Sequence, residues 1–211
     1  MSEQAPRRGK GRPTDIGEGE LKARIFREAA RLFAERGYRS ATVEDIVKAS
    51  EATKPVLYYY FGNKEGLYRA LLEWVLDSRR GLIQSIERDF SDPRQHLVAI
   101  FQGIFTQTLD NPELARFTLT AYFAATKEAP EVDTSRAGRE LFRAFRRIAE
   151  QGIEEGLIRG NPFEIARVLL GVTTSYLATH LDGPSYNLIG PGAAERIVEM
   201  VWDGIGHPEP S

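Results

Sequence analysis

The sequence predicts an all-α protein of nine helices, and three observations carry that expectation. From Glu18 almost to the end of the chain, apolar residues recur at three- and four-residue spacing, the period of one helix face. No segment shows sustained alternation of apolar and polar residues, the mark of a half-buried strand. Helix starts are spelled out: Asp92-Pro93, Asn111-Pro112 and Asn161-Pro162 each set a side-chain acceptor ahead of a proline. The missing N–H of that proline falls in the first turn, where a helix has no internal partner for it.

Taken in order, residues 1–15 are polar and rich in Pro and Gly, so they are expected to be disordered in isolation. Leu21, Ile25, Ala29, Leu32 and Phe33 then form the buried stripe of a first helix, which Gly37 is expected to end as a left-handed C′ residue. Thr42 is placed to cap a short helix from Val43 to about Ser50, with Asp45 as its capping-box partner. A tight turn leads to a second short helix, Lys54 to Tyr60, with Thr53 as N-cap and Pro55 in its first turn. A long helix follows from Lys64 to about Asp89, with Leu67, Ala70, Leu71, Trp74, Leu82 and Ile86 facing inward. Helices are expected over Arg94–Leu109, Glu113–Ala125 and Arg136–Glu155, the last with Leu141, Phe142, Phe145, Ile148 and Ala149 on one face. Gly156 and Gly160 interrupt the chain before Pro162–Leu181 and Ala193–Ile205. Polar, Pro-containing loops are expected at Thr126–Thr134 and Asp182–Gly192.

Composition narrows the function. The 211 residues are 42% apolar and 27% charged, ordinary values for a globular chain. No apolar run approaches the ~20 residues of a membrane span, and no basic-then-apolar leader opens the sequence. With no cysteine there is no disulfide framework and no thiolate zinc site, which fits a cytoplasmic location. Residues 1–70 hold 14 Lys/Arg against 10 Asp/Glu, a net +4; residues 71–211 hold 14 against 20, a net −6. A basic end on an acidic body suits phosphate contact at one end only. His96, His180 and His207 are the only histidines and form no metal-spaced cluster. No Gly-rich phosphate loop and no Gly-x-Ser-x-Gly occurs. Neither an enzyme nor a cofactor is expected.

The segment from Thr42 to Lys64 decides the class. Two short helices joined by a tight turn, the second bearing Thr53, Lys54, Tyr58 and Tyr59 on its outer side, read as a helix-turn-helix whose second helix enters a major groove. Leu57 and Phe61 face inward against Ile46 and Val47. Lys54 can reach a phosphate or a guanine edge, the tyrosine hydroxyls can donate to phosphates, and Val56 can touch a thymine methyl. Tyr60 is assigned to packing. Thr42 and Lys64 flank the motif at helix starts, where a hydroxyl, a cation and free N–H groups meet the DNA backbone.

Arg24-Ile25-Phe26, Leu32-Phe33-Ala34-Glu35-Arg36-Gly37-Tyr38, Thr42-Val43, Asp45-Ile46-Val47, Thr53 through Phe61 and Asn63-Lys64-Glu65 together resemble the N-terminal domain of the tetracycline-repressor (TetR) family, over about residues 20–70. The resemblance implies a homodimeric nine-helix repressor of a palindromic operator, with a ligand pocket in its C-terminal domain. It places DNA contacts at Thr42, Thr53, Lys54, Pro55, Val56, Tyr58, Tyr59 and Lys64. Three segments follow: a flexible basic arm (1–17), a DNA-binding domain (18–66) and a ligand-binding and dimerisation domain (67–211). Arg12, in the Arg7–Pro13 arm, is a further candidate for minor-groove contact. The family's Gly-Val at the turn is Glu51-Ala52 here, which predicts either about 1 kcal/mol of strain or an altered turn.

The C-terminal body offers candidates rather than a motif. Trp74, Phe101, Phe105, Arg116, Tyr122, Phe123, Phe142 and Phe145 are taken as the lining of a site for a small, partly apolar effector. The last two helices are apolar over a broad arc, which suggests burial on two sides. Val168, Val172, Tyr176, Ile197, Val201 and Trp202 are the expected dimer contacts. The expected partners are double-stranded DNA, a second copy of the chain and an unknown effector, with no membrane. The competing readings are a DNA-binding regulator without small-molecule control, or an activator.

Overall fold

The computed structural model describes residues 15–86, 92–123, 129–130, 135–183 and 188–205. Among them are nine helices and no strand: α1 (Asp15–Ser40), α2 (Val43–Ala49), α3 (Lys54–Phe61), α4 (Lys64–Ile86), α5 (Pro93–Asp110), α6 (Pro112–Phe123), α7 (Ser135–Glu154), α8 (Pro162–Asp182) and α9 (Ala193–Ile205). The basic arm with Arg12, the segment after Ile86 and most of the two expected loops lie outside the described residues.

Two of the three Asp/Asn-Pro start signals act as side-chain caps. The Asp92 carboxylate accepts from the Arg94 N–H at 2.8 Å, and the Asn161 side chain accepts from Phe163 N–H at 2.9 Å and Glu164 N–H at 3.4 Å. Thr42 and Asp45 form the expected reciprocal capping box. Gly37 adopts the expected positive φ (76°) and a non-helical backbone, and it interrupts α1 there. A short helical stretch to Ser40 follows the kink, and Lys64 bonds to its carbonyls, as described below.

Two hydrophobic cores result, and their border does not fall at residue 66. The N-terminal core joins Ile25, Phe26, Phe33, Ile46, Leu57 and Phe61 to Leu67, Leu71 and Leu72 of α4, and also to Leu114, Phe117 and Ala121 of α6. Phe117 inserts its ring among Phe33 (6.0 Å between centroids) and Tyr68 (5.2 Å, edge-on), while Tyr38 closes the group against Phe33 and Tyr68. The second core is built from α5, α7, α8 and α9 around Phe101, Phe105, Phe145, Leu169 and Ile197. Trp74 does not face either core as expected. It is 44% exposed and meets only the edge of the first one, through Phe26 at 5.7 Å.

Candidate DNA-reading surface and the cavity behind it

Helices α2 and α3 pack through Ile46 and Leu57, both fully buried, with Phe61 nearly so. That inward anchoring fixes which side of α3 meets solvent. Tyr59 is 82% exposed and Tyr58 45%, both unusual for tyrosines of a well-packed helix. Thr53, Lys54 and Pro55 are exposed beside them, and Val56 is half-buried. Thr53 caps α3 in backbone conformation but makes no side-chain cap bond. Tyr60 stays half-buried, its ring against Tyr59 and Phe61, as packing requires.

Several of these polar groups already have partners. Lys54 is bonded through its ammonium to the Glu44 carboxylate of α2. This pairing pulls the Glu44 pKa down and pushes that of Lys54 up. The Thr42 hydroxyl accepts from Asp45 N–H at 3.1 Å and donates to the Asp45 carboxylate at 2.7 Å, which lowers the Asp45 pKa. Lys64 donates to the carbonyls of Tyr38 (3.0 Å), Arg39 (3.3 Å) and Ala41 (3.2 Å), with its cation 4.4 Å from the centre of the Tyr38 ring. All three ammonium protons therefore close the end of α1, and a phosphate contact would have to displace one of them. At the turn, Glu51 keeps the left-handed conformation that a glycine would favour (φ 51°), with Arg24 3.6 Å away.

Behind the reading surface a mostly apolar, partly open cavity of about 90 Å³ is lined by four helices. Its wall takes Leu76 and Arg79 from α4, Leu119, Tyr122 and Phe123 from α6, Leu141 from α7 and Thr173 and Leu177 from α8, among others. Gly138 of α7 admits the Tyr122 ring, which would lie 3.1 Å from a β-carbon there. Tyr122 and Phe123 are thus the expected aromatic residues that reach this cavity. Phe101, Phe105 and Phe145 are fully packed in the second core and do not reach it. Phe142 packs edge-on against Phe163, Trp74 borders a separate cavity, and Arg116 lines a surface cleft with Arg31 and Glu35. Aromatic spacing marked these helices as apolar but could not distinguish core from cavity wall. Arg79 carries no local signal, because a charged residue within a helix reads as solvent-facing.

On α8 and α9, Val168 is 53% and Met200 59% exposed, while Val172, Tyr176, Val201 and Trp202 are half-buried. Ile197, expected at a dimer contact, is instead buried in the second core. Trp202 lies partly over α7 at Gly152.

The tight two-helix unit with an anchored inner face and an aromatic, polar outer face defines a helix-turn-helix DNA-binding protein. Residues 25–71 match the family model for bacterial regulatory proteins of the tetR family. The HTH-type transcriptional activator FasR of Mycolicibacterium smegmatis is 24% identical, over 98% of this chain and 96% of its own. The HTH-type transcriptional repressor KstR2 of Rhodococcus jostii is 25% identical, over 91% and 94%. Among solved structures, AibR in complex with isovaleryl coenzyme A and operator DNA shares the fold with a TM-score of 0.67, at 22% identity over 89% of this chain and 99% of that one. Residues 25–71 thus carry a regulatory domain of the tetR family, and relatives that match along nearly the whole chain are named transcriptional regulators.

Proposed function

We propose that the chain is a ligand-responsive repressor that binds a palindromic operator as a homodimer and acts in the cytoplasm. One observation carries this reading: α4 and α6 are each shared between the core of the reading domain and the wall of the cavity. At about 90 Å³ the cavity is well below the roughly 300 Å³ at which ligand sites begin. An effector therefore needs a wider cavity, and α4 and α6 cannot yield without shifting the reading helices they support. The effector then prefers one arrangement of the reading head and DNA the other, which is the differential affinity that ligand control requires.

Thr53, Lys54, Pro55, Val56, Tyr58 and Tyr59 are the proposed contacts of α3 with the groove and its phosphates, with Thr42 at the start of α2 beside the backbone. The exposed apolar strip of α8 and α9 supports the dimer. A two-fold axis through it sets two copies of α3 about one DNA turn apart, roughly 34–36 Å, and so calls for a palindrome. The name of FasR favours a second reading, an activator with the same site. The test is selection of bound sequences from random duplex, repeated with a metabolite library. A palindrome recovered without metabolites and lost with one of them is expected; recovery of no preferred sequence defeats the proposal. Transcription from the recovered site then separates repressor from activator.

A further inference from the structure

The cavity wall contains one charged side chain, and no acid in the described chain balances it. Arg79 makes no ion pair and no hydrogen bond among the described residues, whereas its neighbour Arg80 pairs with Asp77 (3.4 Å) and Glu140 (3.5 Å). The wall offers it nothing in return. Thr118, Thr173 and Thr174 each donate their hydroxyl proton to a carbonyl of their own helix, at 2.7, 2.8 and 2.8 Å. The remaining lining is aliphatic or aromatic apart from the Tyr122 hydroxyl.

Burial lowers the Arg79 pKa to about 10, so it stays charged at neutral pH. The guanidinium is half-buried in an apolar wall, where a charge without a partner costs more than it would in open water. Its retention makes sense if the counter-charge arrives from outside. Arg79 also borders a second cavity of about 60 Å³, beside Ser78, Gln107 and Asn111, and so stands in the partition between the two.

From this geometry we propose that the effector is an apolar acid, its carboxylate or phosphate head paired with Arg79 and its hydrocarbon body in the cavity. The guanidinium fork matches both heads bidentately. The inference rests on the chain being a ligand-responsive regulator, and it adds that the effector's charge acts directly on α4.

The test uses the full chain, titrated calorimetrically with n-alkyl carboxylates of graded length, alkyl phosphates and alcohols of the same lengths. At the best length the acid binds at least about tenfold tighter than the alcohol, the discrimination expected of one charge-assisted pair. Arg79→Met abolishes that preference, while Arg79→Lys keeps part of it. Equal affinity for acid and alcohol in the parent overturns the proposal, even should the variant fail to fold. So does an acid preference that survives in Arg79→Met, or the absence of any acid binding. The ranking of carboxylate against phosphate identifies the head. The same ligands are then added to the protein on its selected duplex. Release by neutral ligands alone defeats the Arg79 pairing and leaves ligand control standing. Arg79-dependent binding without release supports the pairing and defeats ligand control.

Discussion

Glu51 shows how a single residue can depart from a pattern without changing the backbone. The turn between α2 and α3 needs a left-handed residue, and Glu51 adopts that conformation at φ 51°. The strain is about 1–2 kcal/mol. Glycine would relieve it but loses about 0.5–1 kcal/mol of chain entropy. The Arg24–Glu51 pair is too exposed to matter much, with the glutamate side chain 81% accessible. Glu51→Gly is therefore expected to stabilise the protein by up to about 1 kcal/mol, read as a higher urea midpoint; a lower one would show that the ion pair holds the turn. The sequence revealed that something unusual stood at this position. Whether the turn or the residue would yield depended on packing around Ile46 and Leu57, which no local pattern encodes. The Lys54–Glu44 pair was hidden for a similar reason. Ten positions apart, the two meet only once α2 and α3 dock.

Helix α4 is where element boundaries and function meet. Its first residue closes α1, its middle holds the reading domain together and its Arg79 faces the cavity. Lys64→Met is expected to lower stability by about 1–2 kcal/mol, from loss of charged hydrogen bonds at a half-exposed site. It should leave the salt slope of DNA binding unchanged, because the ammonium serves α1. A slope smaller by about one would return Lys64 to the phosphate backbone. The period of α4 was legible, and so were Leu67 and Leu71 as its buried face. Trp74 shares their spacing, but little of the neighbouring structure covers it. Its exposure depends on what packs over that side of α4, which lies beyond any single helix. Arg79 and Arg80 are adjacent, and only the fold assigns one to the cavity and the other to acids on α4 and α7.

For the whole molecule, the expected partner surface narrows to the outer strip of α8 and α9. Val168→Asp places a charge there without touching either core. Sedimentation should show monomers, and affinity for a palindromic duplex should fall by about 100-fold or more as the second reading head is lost. A dimer that persists moves the interface elsewhere. Fold class, helix order and the reading motif were legible because period, caps and prolines are local signals. The two-core plan was not, because it depends on α6 leaving its sequence neighbours to pack on α1. The Phe117 ring held by Phe33 and Tyr68 has a practical corollary for protein engineering. A hybrid regulator that borrows its recognition module from a relative, spliced just after the helix-turn-helix, would set a foreign surface against this phenyl group. Transplants that also carry residues 112–123 keep their native lock, and they are the ones that should yield working chimeras.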